Sequence, residues 1–291
     1  MGAVANVTEF SNSNTLSNTV SALGSPAFVK GTCMTNLMYT EDLPSQSMVR
    51  SMQKRGSLTA TYPSSESTAL AIGSGGELTD TKVDLTAAMG AIVSGLSVAA
   101  ETFGTIDLTR LAQEQFSALA RAVDTDALGL FSGLSGGRTS ASLLTIDDLM
   151  LSQMTIYTSE VPNKEVQLSL VTHAKGAYGL KKEIVQSGAS AFTNQSFLSI
   201  LGGMPQANCF VGSIPGIADV YQTSGMGTSG GDTYSALFHP MWTFAMIIGA
   251  SPKSWIIQKG SEGFYTELAT HLFWDIGEWN DLAGQYILSD T

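Results

Sequence analysis

An α+β fold is predicted by three features of the sequence. Residues 83–93 carry apolar side chains at every odd position while the even ones begin with Asp84 and Thr86, residues 108–127 carry apolar side chains mostly three or four apart, and thirty Gly with abundant Ser and Thr punctuate the rest. The first spacing is that of a strand, the second that of an amphipathic helix, and the third marks a loop-rich chain with many turns.

Taken in order, residues 1–47 are rich in Ser, Thr and Asn with scattered Leu and Val. Such a segment cannot build a core of its own and is expected to lie as an arm across neighbours. In SLTATY, Leu58, Ala60 and Tyr62 alternate with Ser57, Thr59 and Thr61; a PSSEST turn and a second run from Ala69 to Ile72 complete a predicted hairpin. A two-stranded ribbon this polar is marginal in water alone, so it is expected to rest on another copy of the chain. GSGGELTD ends the excursion, and Val83, Leu85, Ala87, Met89, Ala91 and Val93 then share one parity of a half-buried strand.

The helix follows, expected over about 106–131. Leu108, Leu111, Ala112, Phe116, Leu119, Val123 and Ala127 form its apolar stripe, leaving Gln113, Glu114, Arg121 and Asp124 to other faces. Thr105 or Asp107 is placed to cap it, and Gly129 and Gly133 mark its frayed end. Thr145 and Asp148 form a capping box opening a second helix that stops near Pro162. VQLSLV reads as a strand and AKGAYGLKKEIVQSG as a helix ending at Gly188. Brief apolar runs, NCFVGSI and MWTFAMII, lie in the Gly- and Pro-rich stretch that follows. Phe264, Leu268, Leu272 and Trp274 share one parity of a long closing strand, and QYILSD forms a last short one.

The 291 residues are 43% hydrophobic and only 13% charged, below the quarter or so usual for a soluble monomer, and subunit interfaces are the expected place for the missing charge. Fourteen Lys and Arg against 25 Asp and Glu give a net charge of −11. That balance disfavours direct nucleic-acid reading, which needs clustered cations, though not enclosure of nucleic acid. The nearest basic cluster, Lys175, Lys181 and Lys182, is interrupted by Glu183 and reads as a solvated helix face. The N-terminus lacks a signal peptide's basic start and apolar core, position 6 is Asn where myristoylation wants Ser or Thr, and the run Met241–Ala250 is too short to span a bilayer. Solubility without membrane contact is expected. Cys33 and Cys209 are too few for a disulfide framework and read as unpaired thiols.

Two enzyme-like strings overlap in one loop: Gly225, Gly227 and Gly230 match a dinucleotide fingerprint, and Gly227, Ser229 and Gly231 a nucleophile elbow. Both need a buried strand before and a helix after, where a polar, flexible loop is expected. His173, His239 and His271 are too far apart in sequence to predict a metal site. The carboxylate pairs Glu41–Asp42 and Asp147–Asp148 are adjacent, so in a helix they do not share one face. Trp242, Trp255, Trp274 and Trp279 read as core or interface anchors. No catalytic, cofactor-binding or metal-binding residue is assigned.

The arm, the β excursion, the strand TKVDLTAAMGAIVSGLSVAAE, the helix DLTRLAQEQFSALARAVD, the Gly-rich stretch and the closing FYTELATHLFWDIGEWNDLAGQYILSD together resemble a tailed-bacteriophage major capsid protein with the Hong Kong 97-type fold. The resemblance covers nearly the whole chain. It implies an N-terminal arm over 1–47, an extended loop over 48–82, a peripheral domain over 83–188 and 260–291 with the long helix as its spine, and an axial domain over 189–259. It further implies pentamers and hexamers closing an icosahedral shell around double-stranded DNA in the virion, assembled in the host cytoplasm. A portal, a separate scaffolding protein and a cement protein are the partners it implies. Some relatives form a Lys–Asn crosslink, for which Lys54 and Asn280 are residues of the required types. An encapsulin-like shell around protein cargo is the alternative, and an enzyme built on the Gly-rich loop is the third reading.

Overall fold

The computed structural model describes residues 32–43, 47–53, 82–97, 108–140, 142–159, 167–186, 209–249, 252–259 and 265–290, with Asn18, Ser21, Ala22 and Phe28. The predicted hairpin within 57–72, the cap candidates Thr105 and Asp107, and the stretch 187–208 lie outside these residues. Helix and strand are mixed throughout, as the sequence predicts.

The strand β13 (Tyr265–Glu278) is the axis of a five-stranded sheet. One edge pairs antiparallel with β11 (Phe244–Ile248) and then β12 (Lys253–Lys259), the other with β4 (Ala88–Ser97). β1 (Tyr39–Asp42) adds in parallel to β11, Tyr39 opposite Ala245. The parity expected for β13 holds: Leu268, Thr270 and Leu272 are buried.

Helix α1 (Leu108–Gly129) packs on that inner face. Ala112, Phe116, Leu119, Val123 and Ala127 are buried with Leu268 and Leu272, and the buried Gln115 donates to the Leu268 carbonyl at 3.0 Å. Burying Phe116 alone contributes about 2–3 kcal/mol. The helix tightens into a 3-10 turn at Leu130–Gly133, seating Phe131 between Phe238 and Phe244 with ring centroids 5.9 and 5.6 Å away. Asp124 departs from the expected polar face. It is 7% exposed, and its carboxylate accepts the Cys33 N–H at 2.7 Å and the Met34 N–H at 3.0 Å.

A seven-stranded sheet runs in the order β5 (Gly137–Thr139), β14 (Gly284–Ser289), β10 (Asp232–Phe238), β6 (Leu168–Thr172), β8 (Ala218–Gln222), β7 (Phe210–Ile214), with β9 (Thr228–Ser229) beside β10. Both faces are covered. Leu168, Leu170, Leu237 and Ile287 meet α2 (Ile146–Thr158) and α3 (Ala174–Gln186) through Leu149, Ile156, Leu180 and Ile184, while Val171, Ala236 and Phe238 join the core of α1. The predicted capping box opens α2, Thr145 Oγ1 accepting the Asp148 N–H at 3.2 Å.

Part of the expected arm belongs to the subunit's own core. Phe28, Cys33, Met34, Leu37 and Met38 are buried against α1 and the sheets, so this part of the segment packs on its own chain. Their apolar residues supply enough burial to hold the segment locally, against the polar character of the stretch as a whole.

Candidate assembly surfaces

The odd residues of β4 do not face the core. β4 begins after a break at Ala87, and its pairing sets Val93, Ala269 and Trp255 in one row and Met89 beside Phe273 on the sheet face away from α1. Met89 is 59% exposed, Val93 62% and Trp255 52%. The even residue Ile92 turns to the core of α1 instead. Gly90 also faces inward, directly beneath Trp274: a Cβ there would stand 2.0 Å from the indole, whose Nε1 donates to Asp126 at 2.9 Å. Alternation identified a two-faced strand, but the small residues needed under that ring reversed which face is buried. A sheet face presenting Met, Val and Trp to solvent has the character of an association surface.

The same face is closed further along by a ribbon. β2 (Val49–Gln53) and β3 (Lys82–Thr86) pair antiparallel, Val49 opposite Thr86 and Gln53 opposite Lys82. Met52 and Leu85 bury against Ala245, Ile247 and Trp279. Trp279 Nε1 donates to the Gln53 carbonyl at 2.7 Å, Arg50 pairs with Glu41 at 2.8 Å, and the Thr86 N–H donates to Asp275 at 2.7 Å. Both ends of the excursion 54–81 are thereby pinned side by side on the sheet.

A second apolar surface lies on α2. Met150 and Met154 are exposed, four residues apart and so on one helix face, and with Leu151 and Tyr157 they line a shallow groove of about 500 Å³. Arg138 and Asp148 stabilise the start of that helix at 3.1 Å. Burial pushes the Asp148 carboxyl up, but hydrogen bonds from Thr145, Ser140 and Arg138 together outweigh it and hold the group below the usual carboxylate range.

The enzyme-like strings fall in a hairpin. Ser229 pairs with Asp232 across a turn at Gly230 (φ +65°) and Gly231 (φ +104°), a left-handed conformation that glycine adopts without steric cost. β10, not a helix, follows, so the context both motifs require is missing. Met226 is buried under this hairpin, giving the expected flexible loop an anchor.

The three histidines make separate contacts in the structure. His173 Nδ1 accepts the Lys175 N–H at 3.3 Å, His239 is buried with Nδ1 2.8 Å from the Pro240 carbonyl, and His271 stacks near Trp255. Among the described residues no group of three His, Cys, Asp or Glu could hold a metal ion. The four Trp are likewise dispersed: Trp279 is a core anchor on Tyr39 with ring centroids 4.8 Å apart, and Trp255 is exposed. Lys175 and Lys182 are solvent-exposed on α3. Asn280 Oδ1 accepts the Leu282 N–H at 3.2 Å, capping a 3-10 turn; Lys54 lies outside the described residues. No described helix is long and apolar enough to cross a membrane.

Sequence reasoning missed the bond between the Asp124 carboxylate and the Cys33 backbone, since the two stand 91 residues apart and no local spacing marks them.

No protein-family model matches the chain, and no curated protein does. Solved structures match over most of its length. A chain of the mature capsid of bacteriophage PhiM1 aligns with TM-score 0.63 at 10% identity, covering 89% of this chain and 87% of that one. A structure from Mycobacterium phage Che8 aligns with TM-score 0.59 at 16% identity, covering 84% and 85%. The SrpI encapsulin of Synechococcus elongatus aligns with TM-score 0.59 at 9% identity, covering 88% and 87%. The chain has the α+β fold these proteins share.

Proposed function

We propose that this chain is a tailed-phage major capsid protein, whose copies form the pentamers and hexamers of an icosahedral shell around double-stranded DNA. The observation that carries the reading is the conjunction of that fold with a pinned ribbon stem and an uncovered apolar sheet face on a single subunit. The stem Val49–Gln53 with Lys82–Thr86 is fixed on the sheet, and the Met89–Val93–Trp255 face receives a neighbouring copy. The net charge of −11 fits enclosure of DNA without sequence-specific grip.

In this reading α1 is the spine of the peripheral domain and 48–82 the extended loop. Sheet membership supports a division other than 83–188 with 260–291 against 189–259. β11 and β12 pair with β13, so they go with the peripheral unit; β5, β6, β14, α2 and α3 go with the strands β7–β10 of the axial unit. A separate scaffolding protein and a portal complete the particle, which is assembled in the host cytoplasm and resides in the virion. No catalysis is assigned to the subunit.

The likeness to an encapsulin favours a second reading, a nanocompartment around protein cargo. Negative-stain microscopy of the purified chain, alone and with its scaffold, tests both: closed shells are expected, with nuclease-protected DNA in particles from infected cells. A stable monomer under every assembly condition overturns the shell reading, and shells filled with a specific protein in place of DNA favour the alternative.

A further inference from the structure

β4 is the outermost strand on its side of the sheet: it pairs with β13 from Ala88 to Ser97 and, among the described residues, with no other strand. The side to which each residue turns its backbone follows from neighbouring bonds. The Gly249 N–H donates to the Phe273 carbonyl at 2.8 Å, so Phe273 addresses β11. The Ser254 N–H turns off the sheet to Ser21 Oγ at 2.8 Å, so its partner Thr270 addresses β4. In an antiparallel ladder the N–H and C=O of one residue point the same way and the direction alternates along the strand. Ile92, opposite Thr270, therefore bonds to β13, while the odd residues Met89, Ala91, Val93, Gly95 and Ser97 turn their backbone groups to the open edge. Ala87, just before the strand, has the same orientation, and the Met48 carbonyl takes its N–H at 2.8 Å. From Met89 to Gly95 no such partner is present among the described residues.

An open edge is ordinarily guarded by a charge, a proline or a bulge. The strand AMGAIVSGLS has no charged residue and no proline, and its 10 residues keep one register with β13 without a shift. β12, an edge of the same sheet, is guarded: Lys253 and Lys259 stand at its two ends and Ser21 takes the Ser254 N–H. Because Met48 occupies the place beside Ala87, a second strand has room only along 89–97. Antiparallel overlap of that stretch with itself is centred on Val93, whose backbone groups face the edge, so the two copies meet with their hydrogen-bonding residues in phase.

We propose that the open edge of β4 pairs with the β4 edge of a second copy about a two-fold axis at Val93, joining the two five-stranded sheets into one. Val93 of each copy stands opposite Val93 of the other, Ala91 opposite Gly95 and Met89 opposite Ser97, and every pair is of the hydrogen-bonded kind. The same strand is the fitting occupant because neither side then brings a charge to the axis. Both sides bring exposed apolar side chains on one sheet face, so the two Val93 meet and the faces carrying Met89 and Trp255 run on as one. Such a contact is isologous: it joins copies two by two and does not close a ring of five or six. Resting on the shell reading, its place in the particle is between neighbouring capsomers.

Cysteine substitutions read the register. Val93→Cys sets the two new thiols at paired positions with Cα atoms about 5.5 Å apart, within the range a disulfide spans. Met89→Cys leaves them at opposite ends of the paired stretch, about 27 Å apart. Each full-length variant, in solution and in particles, is oxidised with copper phenanthroline and run on a non-reducing gel beside the wild type, whose Cys33 is buried and Cys209 half-buried. Val93→Cys is expected to run mostly as a covalent dimer and Met89→Cys to link no more than the wild type. Val93→Lys sets like charges across the axis at a position already in water, so its Tm is expected to stay within about 2 °C while pairing in sedimentation needs about tenfold more protein. A Val93→Cys chain that stays single in both states, a Met89→Cys chain that links as readily, or a Val93→Lys chain that pairs like the wild type overturns the proposal. Shells whose Val93→Cys copies do not link remove this contact and leave the shell reading; linked pairs that never close into shells do the reverse.

Discussion

Asp124 and Asp148 are both largely buried carboxylates on helices, and their protonation works in opposite directions. Burial is the stronger influence on Asp124 and raises it, against the lowering effect of the Met34 and Cys33 N–H bonds. The folded state thus holds the Asp124 proton more tightly than the unfolded chain, so this group adds stability as pH falls toward its raised pKa. Asp148 is held down, so its contribution is complete above the unfolded value of about 4 and disappears as pH drops through the lower folded value. Thermal melts from pH 7 to pH 2 check the signs: Asp148→Asn is expected to flatten the acid-side loss, whereas Asp124→Asn removes a stabilising trend between neutral pH and about pH 4. Asp124→Ala leaves two buried N–H groups without their acceptor and is expected to cost about 2–4 kcal/mol in urea unfolding.

Elements were legible wherever one face met the core of this same chain. The stripe of α1 and the even parity of β13 could be read directly, since burial and periodicity have one cause there. β4 was legible as a strand but not in its facing, because Gly90 has to sit beneath this chain's own Trp274 while Met89 and Val93 stay exposed on the opposite face. Asp124 was hidden for a related reason: its acceptors' partners are backbone groups about 90 residues away, and backbone leaves no mark in side-chain pattern. Leu119→Asp puts a charge into the stripe and is expected to destabilise by about 3–5 kcal/mol, read as loss of the cooperative unfolding transition. Replacing 54–81 by an Asn-Gly turn keeps the Gln53–Lys82 end of the ladder. Circular dichroism should be nearly unchanged while particle yield falls to background; widespread loss of secondary structure would make the excursion part of the core.

At the scale of the molecule, an exposed apolar face and an acidic, charge-poor composition fit the proposed shell subunit, whose core is its own and whose surface a neighbour would cover. Met89→Asp with Val93→Asp is expected to leave the Tm within about 2 °C, because both side chains are already in water, yet to abolish shells in negative stain. Loss of the folded monomer instead would show that the face is buried within the chain. The separate enzyme-like strings had no such support at this scale, since their hairpin lies between two strands of one sheet.

The parallel pairing of β1 with β11 also sets an order of events during synthesis. Tyr39–Asp42 leaves the ribosome early, but its partner Ala245–Ile248 emerges only some 200 residues later and is itself held on its far side by β13. Until that late strand arrives, the buried Met34, Leu37 and Met38 have lost the floor they pack on. Contacts this distant along the chain make folding slow, and the β13 strand that holds β11 in place comes only with the last tenth of translation. A nascent chain arrested before residue 265 should therefore keep its N-terminal segment open to protease, while release of the full chain closes it.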